Sequence, residues 1–121
     1  MKILLVDDSR TIRNIQKKTL AQLGHTDVVE AGDGEEALEQ IAATKPDLLL
    51  VDWNMPKMTG LDFLKTVRAD ESTKDIPFVM VTAEAQKDNV LQAVQAGVSN
   101  YIVKPFTADT VKEKLAKVFD S

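Results

Sequence analysis

Cysteine is absent from the 121 residues, and histidine, tryptophan and tyrosine occur once each. The missing thiols exclude disulfides and thiolate metal sites. Any bound metal must use oxygen ligands or the single His25. No apolar run is long enough to cross a bilayer, and no charged-then-apolar leader opens the chain. A cytoplasmic protein with no membrane partner is therefore expected. A basic excess is also lacking: 15 Lys and Arg against 19 Asp and Glu leave a net charge of −4. That balance weighs against nucleic acid as a partner. There is no linker-like tract, repeat or low-complexity segment. With 44% hydrophobic residues, a single domain spanning residues 1–121 is expected, with no second domain attached.

The stretch that organises the rest is Pro46 to Gly60, PDLLLVDWNMPKMTG. Leu48 to Val51 are four consecutive aliphatic residues with no polar face, as in a strand buried on both sides of a parallel sheet. Pro56 and Gly60 then break the chain, so the strand must stop near Asp52. This carboxylate sits where a buried strand meets a loop. In open α/β sheets, that strand end is where ligands bind.

The remaining chain alternates in the same way. Ile3 to Val6 reads as a strand ending on Asp7 and Asp8. Ser9 can cap a helix running to about Leu23, with Ile12, Ile15 and Leu23 among its inner positions and Gly24 closing it. Val28 to Ala31 is a short strand, and Gly32-Asp33-Gly34 a turn. A helix from Glu35 to about Ala43 turns Ala37, Leu38 and Ile41 inward, and Pro46 stops it. A third helix begins near Gly60 and buries Leu61, Leu64 and Val67. A charged loop follows over Ala69 to Asp75. Phe78 to Val81 is a strand with Thr82 at its end, then a helix from about Gln86 to Ala96 stops at Gly97. Tyr101 to Val103 is the fifth strand, followed by Lys104-Pro105. The last helix, Thr107 to Phe119, buries Val111, Leu115 and Val118. The pattern predicts an α/β protein: five parallel strands flanked by five helices on both faces.

In a parallel sheet the C-terminal ends of the strands share one edge. Asp7, Asp8, Asp52, Thr82 and Lys104 can therefore converge. Three carboxylates in one pocket repel, and one should have its pKa raised. A hard cation with oxygen ligands resolves this, and Mg²⁺ suits a few carboxylates, a backbone carbonyl and waters. Beside such a metal, Asp52 could act as a nucleophile towards phosphorus, forming an aspartyl phosphate. Lys104 and the Thr82 hydroxyl could contact the phosphoryl oxygens.

Val6-Asp7-Asp8-Ser9, Asp52-Trp53-Asn54-Met55-Pro56 with Gly60, Val81-Thr82-Ala83-Glu84-Ala85, Gln95-Ala96-Gly97 and Tyr101 to Thr107 (YIVKPFT) carry a resemblance that spans essentially the whole chain. The chain resembles the receiver domains of two-component response regulators, and among them the single-domain regulators of chemotaxis. The resemblance implies a flavodoxin-like sheet in the order 2-1-3-4-5; the residue pattern alone does not give that order. It also implies that Asp52 is the phosphoacceptor. Asp8, Asp52 and the Asn54 backbone carbonyl would bind Mg²⁺ directly, with Asp7 acting mostly through water. Thr82 and Lys104 would grip the phosphoryl group, and Thr82 with Tyr101 would form the switch. Asn54 and Glu84 would tune hydrolysis of the acyl phosphate. Lys104-Pro105 matches a peptide bond that is often cis in the family. Ser9 and Asn100 depart from the best-known chemotaxis version, which bears on turnover and partner affinity.

The output face implied by the resemblance comprises Ala85, Lys87, Val90, Val94, Tyr101, Phe106, Thr110, Lys114 and Lys117. An apolar strip rimmed by lysines suits an acidic amphipathic peptide. The implied partners are a chemotaxis-type histidine kinase as phosphodonor, the flagellar motor switch as target and, in some systems, a phosphatase. A monomer that promotes only its own phosphorylation and dephosphorylation is expected, rather than an enzyme on other substrates.

Plainer readings stand beside these. Asp7 and Asp8 alone would be polar residues at a strand end, Thr82 a helix cap, Lys104 a solvated lysine and Tyr101 a packing residue. The lysines of the last helix could form a solvated face. Trp53 is expected to be exposed, as loop aromatic or fluorescent reporter of the metal. His25 is expected at the surface near a helix end. A receiver in a phosphorelay or another non-motility pathway is the alternative function. An aspartate-nucleophile phosphatase would need a second acid where Asn54 stands. A flavodoxin would need a Ser/Thr/Gly-rich phosphate loop where Asp7-Asp8 stands.

Overall fold

The computed structural model describes residues 1–82, 87–104 and 106–120, with the backbone alone at 87–89 and 120. The elements alternate: β1 (Ile3–Val6), α1 (Arg10–Gln22), β2 (Val28–Ala31), α2 (Gly34–Thr44), β3 (Leu48–Asp52), α3 (Gly60–Ala69), β4 (Phe78–Thr82), α4 (Lys87–Gln95), β5 (Asn100–Val103) and α5 (Ala108–Asp120). The five strands form one parallel sheet in the order β2-β1-β3-β4-β5. Every residue of β1, β3 and β4 is buried, as their unbroken apolar sequences require of strands covered on both faces.

Side chains alternate across the sheet and build two cores. Leu4, Val6, Leu49, Val51, Phe78 and Met80 pack with Ala37 and Ile41 of α2 and with Phe63, Leu64 and Val67 of α3. Ile3, Leu5, Leu48, Leu50, Val79 and Val81 pack on the opposite face with Leu20 of α1 and Val111 and Leu115 of α5. Helices on both faces leave the strand ends as the accessible edges of the sheet. Among the described residues, no helix is long and apolar enough to cross a membrane.

Local chemistry sets the element boundaries. The Ser9 hydroxyl accepts the Ile12 N–H at 3.2 Å and caps α1. Asp33 caps α2 through the Glu36 N–H at 2.8 Å, and Thr59 caps α3 through the Asp62 N–H at 3.1 Å. β3 and β4 each run one residue beyond the apolar segment, so Asp52 and Thr82 are themselves the last strand residues. β5 begins one residue early, at Asn100.

Two expectations fail. Ile15 is 50% exposed, and the inner face of α1 is Gln16, Thr19 and Leu20. At 3.6 residues per turn, Ile15 lies about a quarter turn off the line through Ile12, Gln16, Thr19 and Leu23. Thr19 tolerates burial because its hydroxyl donates to the Ile15 carbonyl at 3.0 Å. Trp53 is half-buried against the core on the α2 and α3 side rather than exposed. Its N–H donates to the Val81 carbonyl at 2.9 Å, so the chain stays close to β4 one residue past the strand. Leu38, Leu61 and Val118, expected inside, are half-buried and pack at the margins of the two cores.

Candidate functional site

The site forms at the C-terminal rim of the sheet, where β1, β3, β4 and β5 end. β1 and β3 are paired from Ile3–Leu48 to Val6–Val51, so Asp7 and Asp8 leave the sheet beside Asp52. One carboxylate oxygen from each of Asp7, Asp8 and Asp52 lies within 4.8 Å of the other two. Asp7 is 2% and Asp52 6% exposed, while Asp8 faces solvent. Lys104 follows β5, and its Nζ sits 3.2 Å from Asp52 Oδ1. Its backbone N–H donates to the Thr82 carbonyl at 2.7 Å, which ties the lysine to the end of β4. Thr82 is buried at the same rim.

A glycine makes this arrangement possible. Gly60 N–H donates to the Trp53 carbonyl at 2.9 Å, bringing the start of α3 against the end of β3. A Cβ at position 60 would stand 2.5 Å from the Asp52 carbonyl oxygen, 2.9 Å from the Met80 sulfur and 3.0 Å from Trp53 Cα. No other residue fits there without moving the backbone that carries Asp52. In the intervening loop, Lys57 has backbone φ 68° and its exposed Nζ lies 3.9 Å from Asp33 Oδ2.

Burial and neighbouring charge perturb the acids. Burial pushes the Asp7 carboxyl above its ordinary value and Asp8 adds to this, while the Ser9 N–H and Lys104 pull it down without cancelling the rise. Burial and the Asp7 charge raise Asp52, with Lys104 offsetting part of the effect. Asp7 Oδ1 accepts the Ser9 N–H at 2.9 Å, but Asp7 Oδ2 is buried without a hydrogen-bond partner among the described residues. An unpartnered buried carboxylate oxygen is costly unless a cation faces it. Three oxygen donors of this hardness fit Mg²⁺ better than a softer metal.

Residues 3–116 match the family described as response regulator receiver domain. The chain is a receiver domain of that family. Relatives share about half of its sequence. The chain is 53% identical over 120 residues to a chemotaxis protein CheY of Pseudomonas aeruginosa, covering 99% of this chain and 97% of that one. It is 54% identical over 119 residues to a chemotaxis protein CheY1 of Helicobacter pylori, covering 98% and 96%. The structure of the chemotaxis response regulator CheY4 of Vibrio cholerae superposes with a TM-score of 0.88 at 36% identity, over 98% of each chain. The receiver fold and its strand order are therefore those that the sequence resemblance implied.

The receiver site brings together Asp7, Asp8, Asp52, Thr82 and Lys104, as the strand-end argument required. Asn54 is exposed two residues beyond Asp52. Glu84, Ala85 and Pro105 lie outside the described residues, as does the side chain of Lys87. Tyr101 is half-buried and, with Trp53, Met80, Thr82, Val90 and Ala93, lines a small hollow between β4, β5 and α4. The Lys114 ammonium stands 4.8 Å from the Tyr101 ring centroid. The Asn100 side chain accepts the Tyr101 N–H at 2.8 Å. Val94 is exposed and Val90 half-buried on α4. Phe106 is half-buried against the α1 and α5 core, Thr110 accompanies Thr107 at the start of α5, and Lys117 pairs with Glu113 at 3.3 Å. His25 is half-buried, in a groove between the ends of α1 and α5.

Two features escaped the sequence reading. Leu91, 54% exposed on α4, extends the apolar strip beside Val94. Arg13 and Glu30 form an ion pair behind the acidic cluster. The signal for the latter was an acid inside a short, otherwise apolar strand, Val28-Val29-Glu30-Ala31, which demands a cationic partner.

Proposed function

We propose that this receiver is a phosphorylation-activated switch that accepts a phosphoryl group from a histidine kinase onto Asp52 and then binds a target protein. The observation that carries this reading is the convergence of Asp7, Asp8 and Asp52 within 4.8 Å with Lys104 Nζ 3.2 Å from Asp52. Asp7, Asp8, Asp52 and the Asn54 carbonyl would hold Mg²⁺. That ion, when bound, supplies positive charge against the phosphoryl oxygens.

In the transfer, an Asp52 carboxylate oxygen forms a bond to phosphorus as the bond from phosphorus to the donor imidazole nitrogen breaks. The electron pair leaves with the imidazole. Lys104 pairs with Asp52 in the resting state and passes to a phosphoryl oxygen afterwards, with Thr82 taking another. No general base is required, since Asp52 attacks as an anion; Lys104 and the neighbouring acids govern how much of it is ionised. Tyr101 turns inward as Thr82 is drawn to the phosphoryl group. Asn54 and Glu84 set the rate at which water removes it. The chain thereby catalyses only its own phosphorylation and dephosphorylation.

The target reading rests on the chemotaxis names of the relatives and on the exposed apolar strip of α4 beside Tyr101 and Lys114. We take the partner to be an acidic amphipathic segment of the flagellar motor switch, met by the monomer in the cytoplasm. Incubation with acetyl phosphate and Mg²⁺ followed by intact-mass measurement tests the chemistry. One phosphoryl adduct is expected on the wild type, lost with EDTA and in Asp52→Asn. An adduct that survives Asp52→Asn would overturn the assignment. Binding to a motor-switch peptide should tighten on phosphorylation. Unchanged affinity would favour a phosphorelay instead.

A further inference from the structure

We propose that Arg13, anchored by Glu30, is a positioning residue that holds the peptide between Asp7 and Asp8 and so aims both carboxylates at Asp52; this rests on the cation-dependent reading above. Arg13 uses two different donors for two different tasks. Its Nε donates to Glu30 Oε1 at 3.1 Å, and its Nη1 donates to the Asp7 backbone carbonyl. The Asp7 carbonyl and the Asp8 N–H belong to one planar unit. Holding that oxygen fixes the direction in which the chain leaves β1 towards Asp8. The preceding peptide is fixed as well, because Asp7 N–H donates to the Ala31 carbonyl at 3.1 Å. The backbone of Asp7 is therefore pinned to β2 on one side and to α1 on the other.

Glu30 is built as an anchor. It stands on β2 opposite Leu5, and its second oxygen accepts Lys17 Nζ at 3.1 Å. Burial pushes the Glu30 carboxyl up, but the hydrogen bonds from Lys17 and Arg13 outweigh it and hold it below the ordinary value. The Arg13 charge is met by Glu30, so it acts on the site as a directed donor rather than as a second Lys104. The planar guanidinium spans both partners at once. A lysine's three N–H donors leave a single nitrogen, which cannot reproduce the spacing between the Arg13 Nε and Nη1 donors.

Groups that orient metal ligands typically account for about 10–100-fold of metal affinity. The test is the Mg²⁺ titration of the full chain by Trp53 fluorescence, with Mn²⁺ binding counted by electron paramagnetic resonance as a second readout. The proteins are wild type, Arg13→Lys, Arg13→Ala and Glu30→Gln, each with its urea stability measured in EDTA. In both arginine variants the Kd for either ion should rise by about 10-fold, and the acetyl phosphate reaction should slow at low Mg²⁺ yet recover near saturation. Arg13→Lys, which keeps the charge, should not rescue. A Kd within about twofold of wild type in both arginine variants would overturn the proposal, even if stability fell. If the wild type itself bound neither ion, the cation-dependent reading would fall and the clamp with it. If the wild type binds and the variants bind equally well, the clamp alone falls.

Discussion

Asp7 is raised by burial and by Asp8, and Asp52 by burial and by the charges of Asp7 and Asp8, and that has a sign. Between the ordinary carboxylate value and the raised one, the folded chain holds more protons than the unfolded chain. In that window stability falls as pH rises. The cost is fully present above the raised values and is relieved as pH falls through them towards 3.8. Glu30 has the opposite sign, but acts only below its ordinary value of 4.5. In EDTA at neutral pH, Asp7→Asn should stabilise the chain by about 1 kcal/mol, the low end of the penalty for an unpartnered buried polar atom. Urea midpoints should show that advantage shrinking as pH falls towards 3.8. An advantage that stays constant with pH would place its origin elsewhere. Gly60→Ala should destabilise by about 1–3 kcal/mol in the same assay, because its Cβ meets backbone rather than a yielding side-chain tip. Both positions were legible in the sequence: Asp7 as an acid ending an apolar run, Gly60 as a breaker after Asp52. Arg13 was not, since an arginine on a helix says nothing until its partner across the loop is known.

The central strands were legible to within a residue because the interior of a doubly covered strand disfavours polar side chains, and Leu48 to Val51 or Ile3 to Val6 can be little else. Helix phase was harder to read. In α1 the isoleucines suggested an inner stripe including Ile15, whereas the buried positions are Gln16, Thr19 and Leu20. Thr19 satisfies its hydroxyl within the helix, so a polar residue could take an inner position that a hydrophobic count assigns to Ile15. Leu20→Ala should therefore cost about 2–5 kcal/mol, while Ile15→Lys should change stability by no more than about 0.5 kcal/mol. Chemical denaturation of the two variants decides between the phases. A large loss from Ile15→Lys would restore the simpler stripe.

Only parallel strands between two helical layers deliver acids at positions 7, 8 and 52 and a lysine at position 104 to one rim. The convergence was legible for that reason, whereas the order of the strands followed from resemblance and not from any periodicity. The same topology makes the site electrostatically uncomfortable without a cation, since Lys104 offsets only part of the rise at Asp7 and Asp52. Mg²⁺ should accordingly raise the thermal midpoint of the wild type more than that of Asp7→Asn, which lacks the unpartnered carboxylate oxygen. A scan with and without millimolar Mg²⁺ checks this, and equal shifts in the two proteins would contradict it. The most direct measurement is borohydride trapping. After phosphorylation with acetyl phosphate and Mg²⁺, reduction converts an aspartyl phosphate to homoserine, which peptide sequencing by mass spectrometry locates. The account predicts homoserine at position 52 and nowhere else. Phosphate retained on Ser9 or His25, or homoserine at Asp7 or Asp8 instead, would contradict it.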